Sequence, residues 1–450
     1  MQKATDIRIL AAEASHERID YRTPMKFGGR VVTDVVLLNV RVEVETRQGR
    51  RASGSGSMPM GNIWGWPSKT TPAQQTLAAM LEMGRRCVEA ATRLQETGHP
   101  LMLTTELAAG RADLAVEACR AAGIDESMPR LAQLVAASPL EAALHDAYGK
   151  AVGRNAYDLL GPEFLEEDLS HWLGAEFVGE WLDRYTLRTP KAKMPLYHLV
   201  GALDPLTPAD IVEPVGDGLP ETLGDWILAD GLTHLKIKLD GADLAWDVAR
   251  VAAVEEVAGV AQRTRGCDGW CYSLDFNERC EDVEYVLDFL AGLSERSPEA
   301  FARVQYIEQP TSRHLKADAA GRMHRAAAIK PVVIDEALVD LESLLLAREL
   351  GYSGVALKAC KGHSEALLMA AAAQKYGMFL CVQDLTCPGA SFLHSASIAA
   401  RVPTVAAIEG NARQYCPAGN RDWEDRFPTM FRITDGTVGT GVLSGPGLGF

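Results

Sequence analysis

Residues 234–241 read HLKIKLDG, with Lys236 and Lys238 two positions apart among Leu235, Ile237 and Leu239. The run has a strand pattern, and side chains two apart on a strand share a face. Two ammonium groups on one face of an apolar strand disfavour each other, the more so when buried. Acids follow at the ends of later apolar runs: Asp275 with Asn277, Glu308, Asp335 with Glu336, Asp384 and Glu409, together with a further lysine, Lys358. Taken singly, an Asp at a strand end is often a turn residue. Asp275, Glu308 and Asp335 fall on three consecutive strands, however, and would converge at one rim, where three carboxylates repel unless a cation binds between them. Oxygen donors alone favour a hard ion, and Mg2+ suits three carboxylates plus waters or substrate oxygens. Lys236 and Lys238 lie one strand before the first acid and Lys358 one strand after the last. A substrate held at the ion would then meet amine or ammonium groups on both faces.

The elements that must bring these residues together recur along the chain. Strand-like runs fall at 194–202, 234–241, 272–278, 304–310, 331–337, 354–360, 378–384 and 405–410, separated by helical patterns such as DLAWDVARVAAVEEVA and SEALLMAAAAQKYG. From Lys238 the strand ends advance by 23 to 37 residues, enough for one strand and one crossover helix each. Eight such units predict an α/β fold of the (β/α)8 type, in which catalytic side chains sit at the strand C-termini. An open doubly wound sheet is the alternative, and no G-x-G-x-x-G follows a first strand to support dinucleotide binding. Upstream, residues 31–49 are Val-rich and alternate in their second half, and 72–159 are helical in pattern. Residues 52–69, rich in Gly, Ser and Pro and carrying Trp64 and Trp66, are expected as a loop, either a lid or plain surface.

At 450 residues the chain is too long for one small core. A net charge of −15 argues against nucleic acid and anionic membranes as partners. No apolar run reaches the length of about 18 residues that a membrane helix needs. MQKATDIRIL lacks the apolar core of a signal peptide, and nine scattered cysteines fit free thiols in a reducing cytoplasm. Cys267, Cys271 and Cys280 cluster, but their spacing matches structural zinc sites poorly.

The stretches LKIKLDG, SLDFNE, YIEQP, VIDEAL and VALKACKG, in that order, resemble the enolase superfamily, within it the mandelate racemase/muconate-lactonising-enzyme family. VEVETRQGR resembles that family's N-terminal β-meander, ALHDAYGKAVGRNAYDLLG its helical capping segment, and TDGTVGTGVLSGPGLGF its closing tail. The resemblance implies a modified TIM barrel over residues 193–429 and an N-terminal α+β capping domain over 1–160, to which the tail 430–450 returns, with 161–192 an insertion or linker. It implies that Lys238 is the acid/base facing the carbon to be deprotonated, with Lys236 its electrostatic partner. Lys358 is the acid/base on the opposite face, or a cation that only steadies the intermediate. Asp275, Glu308 and Asp335 would be ligands of one Mg2+ per subunit, flanked by Asn277 and Glu336. The shared step is removal of a proton α to a carboxylate, giving an enolate stabilised by the ion. The base must be a neutral amine, which a neighbouring ammonium, the ion and burial all favour. Amines on both faces favour a racemase or epimerase of a small carboxylate substrate. An acid-sugar dehydratase or a cycloisomerase is the alternative, and a ligand-binding barrel without chemistry the remote one. Specificity is expected from residues 20–30 and 52–69 and from the surroundings of Asp384 and Glu409, and the family implies a homo-oligomer. Two departures stand out: Gly362-His363 replaces the usual Gly-Gly, and the eighth strand ends Glu409-Gly410-Asn411 where dipeptide epimerases carry Asp-x-Asp, which argues against dipeptides.

Overall fold

The computed structural model describes residues 3–27, 30–316 and 322–450; two residues of the expected specificity segment 20–30 thus lie outside the described residues. Three antiparallel strands open the chain in sheet order: β1 (Ile7–Phe27), β2 (Arg30–Thr46) and β3 (Arg51–Pro59). β1 and β2 pair all the way from Ile7↔Thr46 to Phe27↔Arg30, so their ribbon runs well past the short third strand.

The first part of the run expected as a loop, residues 52–59, is therefore in strand β3. Its small residues answer a close approach rather than a turn. The buried helix Arg130–Val152 lies directly on this strand. A Cβ at Gly54 would come 2.2 Å from the Ala147 amide nitrogen, and one at Gly56 1.8 Å from the Pro139 carbonyl oxygen. Trp64 and Trp66 follow on a single helical turn, Asn62–Gly65, and its cap; both are buried.

Eight parallel strands then succeed one another: β4 (Met194–Val200), β5 (His234–Lys238), β6 (Cys271–Asp275), β7 (Val304–Glu308), β8 (Val332–Ile334), β9 (Gly354–Leu357), β10 (Phe379–Val382) and β11 (Val405–Glu409). Each pairs with its neighbour in sequence, and β11 pairs back to β4, which closes the ring and excludes the open sheet. A short strand β12 (Thr437–Val438) adds antiparallel to β4. Beyond it the chain reaches the N-terminal layer, where Asn155 Nδ2 donates to the Gly445 carbonyl at 2.8 Å and the Leu448 amide to Asp146 at 3.1 Å. Residues 161–192 lie against the structure with Phe177, Leu182 and Tyr185 buried, and Arg401 donates to the Leu187 and Arg188 carbonyls.

Strand alternation layers the barrel interior. Tyr197, Tyr306, Val333, Ala356, Cys381 and Ala407 form a buried floor. Two residues further along the same strands come Leu199, Glu308, Asp335, Lys358, Gln383 and Glu409, so an apolar plug lies under a charged layer. All nine cysteines are free thiols, and among the described residues no helix is long and apolar enough to cross a membrane.

Candidate active site

The parallel register sets Lys238 beside Asp275 and Asp275 beside Glu308, while Asp335 and Lys358 stand one residue past β8 and β9. The barrel mouth thereby gathers every residue singled out above. Lys238 Nζ donates to Asp275 Oδ2 at 2.5 Å and to Asn277 Oδ1 at 3.1 Å. Lys236 Nζ lies 2.9 Å from Glu308 Oε1, 3.1 Å from Glu409 Oε2 and 3.2 Å from Asp275 Oδ2. The crowding of two lysines is thus relieved by carboxylates from three other strands. Lys358 Nζ sits 3.0 Å from Asp335 Oδ2 and donates to the Asp384 carbonyl at 3.3 Å.

Two further residues belong to this layer. Lys361, on the single turn Ala359–Lys361, places its ammonium 3.2 Å from Asp335 Oδ1 and also donates to the Asp335 carbonyl. Gln383 donates to Glu308 Oε2 and, at 3.2 Å, to the Tyr306 hydroxyl. Lys361 was visible as the second lysine of KACK. Gln383 was visible as the residue before Asp384, two positions after the floor residue Cys381.

Burial opposes every charge here, and the neighbours decide the balance. Burial and then Asp275 push Glu308 well above the ordinary carboxylate range. Burial and Asp335 raise Glu336 to about 8; burial and Glu409 raise Asp384 to about 7. Asp275 goes the other way, because Lys238 and Lys236 outweigh its burial, and Asp335 is lowered likewise by Lys358 and Lys361. Burial pulls Lys236 and Lys358 down, yet Glu308 and Glu409 on the first and Asp335 on the second hold both above the usual lysine value. For Lys361 burial prevails and its value falls.

Six buried carboxylates (Asp275, Glu308, Asp335, Glu336, Asp384, Glu409) face four buried lysines (Lys236, Lys238, Lys358, Lys361), an excess of two negative charges when all are ionised. A divalent cation fits both this deficit and the donor chemistry of Asp275, Glu308 and Asp335, which offer only oxygen. In the structure lysines engage those oxygens, and among the described residues no three His, Cys, Asp or Glu side chains form a ready metal cage.

The N-terminal layer supplies the roof. Trp64 Nε1 donates to Glu336 Oε1 at 2.9 Å, and its carbonyl accepts from Arg313 Nη1 at 3.0 Å. Its ring centroid lies 4.6 Å from Lys358 Nζ and 5.6 Å from Lys361 Nζ, within cation–π range. Trp64 is therefore a fixed part of the site rather than the tip of a surface loop. Among the described residues, four of the five non-glycine positions with positive φ, Asn277, Glu278, Gln309 and Thr386, follow barrel strands at this rim. Backbone strain of this kind collects where side chains are held for function. Asp384 acts as a turn former, its carboxylate accepting from the amides of Thr386 (3.2 Å), Cys387 (3.4 Å) and Asn411 (3.1 Å). The Gly362-His363 departure also has a local account. Gly362 sits at φ 110° with the Glu141 carboxylate where a Cβ would lie, while His363 packs its ring 4.7 Å from that of His145.

A closed (β/α)8 barrel with acids and lysines at its strand C-termini is the architecture of enzymes that work at that rim. The chain belongs to the enolase superfamily: the model of the enolase C-terminal domain-like family matches residues 219–450. It is accordingly an enzyme of the isomerase and lyase kind. The L-Ala-D/L-Glu epimerase from Bacillus subtilis, in a substrate-liganded complex, is similar with a TM-score of 0.65 and 17% identity over 98% of each chain. A dipeptide epimerase from Enterococcus faecalis V583, complexed with Mg and L-Leu-L-Tyr, gives 0.63 and 16% over 98% of this chain and 99% of that one. Muconate lactonizing enzyme from Pseudomonas fluorescens, complexed with muconolactone, gives 0.59 and 18% over 98% and 96%. At these identities the likeness is one of fold. No curated protein sequence matches the chain.

Proposed function

We propose that the protein is a Mg2+-dependent racemase or epimerase that moves the proton α to the carboxylate of a small substrate. The observation that carries this reading is the pair of lysines on different carboxylates of one pocket, Lys238 on Asp275 and Lys358 on Asp335. Bound by Asp275, Glu308 and Asp335, the ion would act as a Lewis acid toward the charge that develops on the substrate carboxylate. Lys238 takes the proton from one face, oriented by Asn277 Oδ1. Lys358, lying under the Trp64 ring, returns a proton to the other face. Lys236, held cationic by Glu308, Glu409 and Asp275, adds a fixed positive charge and does not itself exchange protons. Trp64 and the ribbon of β1 and β2 keep bulk water from the amines.

The test is α-proton exchange in D2O with Mg2+, read by NMR on single enantiomers of candidate carboxylates. The expected result is deuterium in both enantiomers with the wild type. Lys238→Ala and Lys358→Ala should each spare exchange from only one, opposite, enantiomer. A 2-keto product, or calorimetry showing no Mg2+ binding and no effect of Asp275→Ala, would overturn the proposal.

A further inference from the structure

A second cavity opens beside the barrel mouth, across strand β1 from it. It holds about 620 Å3 between β1, the end of β4 and the loop 201–222 that leads from β4 to the helix Leu223–Asp230. Tyr21 and Met25 of β1 line the barrel mouth, whereas Arg22, Thr23 and Pro24 line this cavity; among the described residues Leu199 alone lies on both walls. None of the acids and lysines of the active site reaches it. It is a separate place in the fold, and what it binds does not rest on the proposed function.

Its charges are one-sided. Asp204, Asp210, Glu213 and Glu221 line it, against a single cation among the described residues, Arg22. That cation is spent on Asp217, to which its Nε and Nη2 donate at 2.6 and 2.8 Å. Burial, and then Arg413, hold His198 neutral. Thr23 and the Trp226 indole add neutral donors, so the wall stays negative. Asp210 and Glu221 already accept amides of their own loop. Asp204 keeps capacity in reserve. It accepts the Gly201 amide at 2.8 Å and the Tyr415 hydroxyl at 2.6 Å, both on Oδ2, and its Oδ1 has no donor among the described residues.

A second acceptor lies on the same wall. Gln414 donates its Nε2 to the Leu199 carbonyl at 2.9 Å and to His198 Nε2 at 3.2 Å, which fixes the orientation of its amide. Its Oε1 is buried and has no donor among the described residues. Such an acceptor is costly unless a ligand supplies the missing hydrogen. Both acceptors gather at the end of β4, because Leu199, which Gln414 holds, and Gly201, which Asp204 holds, are two residues apart. The outer part of the wall is apolar: Leu203, Val212 and Val215 are 49%, 100% and 37% exposed, surface of the kind a ligand covers.

We infer that this cavity is a binding site for an organic monocation, an ammonium group on an apolar body. The ammonium brings a positive charge to Asp204 and donors for both Asp204 Oδ1 and Gln414 Oε1. The body covers Leu203, Val212 and Val215. An anion would meet four carboxylates and no free cation, and a neutral alcohol has one hydrogen to offer two acceptors.

The probes are 2-phenylethylammonium, 2-phenylethanol, 3-phenylpropanoate and Nα-acetyl-lysine amide, titrated calorimetrically into the full chain without Mg2+. 2-Phenylethylammonium is expected to saturate a single site and to bind about tenfold or more tighter than the alcohol or the carboxylate, the worth of a charge-assisted hydrogen bond. Asp204→Asn, which keeps an acceptor for the Gly201 amide and the Tyr415 hydroxyl, should remove that advantage. Val212→Lys puts a competing ammonium on the fully exposed rim, where it leaves the fold intact, and should weaken the amine several-fold. Asp275→Ala, in the barrel mouth, should leave the affinity for the amine unchanged. No saturable binding of the amine, or equal binding of the alcohol or the carboxylate, would overturn the inference. So would an affinity that responds to Asp275→Ala but to neither Asp204→Asn nor Val212→Lys. Tighter binding of Nα-acetyl-lysine amide would overturn the assignment to a free amine and give the cavity to a lysine of a partner chain.

Discussion

His394 gives a quantitative test of how the N-terminal layer is joined to the barrel. It stands on the barrel helix Ala390–Arg401, is fully buried, and its Nε2 accepts the Ser57 amide of β3 at 3.2 Å. An accepting ring nitrogen requires the neutral imidazole. Burial, with smaller contributions from His363 and Lys150, pushes its pKa from 6.5 down to about 3. Between those values the unfolded chain binds a proton that the folded chain refuses. The stability His394 contributes is therefore present above the unfolded value and is lost as pH falls toward the folded one. At about pH 5 the loss from this single residue is about 2 kcal/mol, rising to about 5 kcal/mol below the folded value. Glu336, raised to about 8, and Glu365, raised to about 7, titrate in the opposite sense, so the raw acid curve is a sum of effects. The difference between the wild type and His394→Gln removes them. Measured by urea unfolding, the wild-type advantage should shrink by about 2 kcal/mol between about pH 7.5 and about pH 5. A difference that stays constant with pH would refute the neutral, buried imidazole at this junction.

Gly56→Ala should lower stability by about 3 kcal/mol or prevent folding, because its methyl group meets the Pro139 carbonyl and neither backbone can yield cheaply. Ser55→Ala, on the exposed side of the same strand, should leave the melting temperature unchanged, and equal melting temperatures for the two variants would refute the contact. Gln383→Met removes the donor on Glu308 Oε2 and should weaken Mg2+ binding about tenfold or more, as loss of such outer contacts typically does. Calorimetric titration of the ion checks this, and an unchanged dissociation constant would mean that Glu308 is held without Gln383.

The barrel was legible because its strands are short, parallel and buried, so each reads as an apolar run, and because a charged residue at the end of such a run is out of place unless it works. Asp275, Glu308, Asp335 and Lys358 were found on that reasoning alone. β3 was misread because glycine and serine signal turns in a single sequence. At Gly54 and Gly56 they signal instead that a helix more than eighty residues further on lies within contact distance. Long-range contacts of this kind leave no local pattern. Trp64 and its bond to Glu336 were hidden for the same reason, since 272 residues separate the two. Lys361 was overlooked because a one-turn helix brings it back to Asp335, which Lys358 already marks.

Closure of the ring has a bearing on how the chain is made. β4 ends at residue 200, but its second barrel partner, β11, begins at 405, and Lys236 meets Glu409 across 173 positions. At ordinary rates of translation the ribosome needs roughly ten to forty seconds to go from the end of β4 to the start of β11. Throughout that interval the nascent barrel is an open sheet with bare edges and a lysine whose counter-charges are incomplete, the condition in which strands pair with the wrong neighbour. Chains interrupted before β11 should accumulate as aggregates rather than as a smaller active enzyme. Synthesis of the full-length protein should gain from chaperones that shield sheet edges until the last strand arrives.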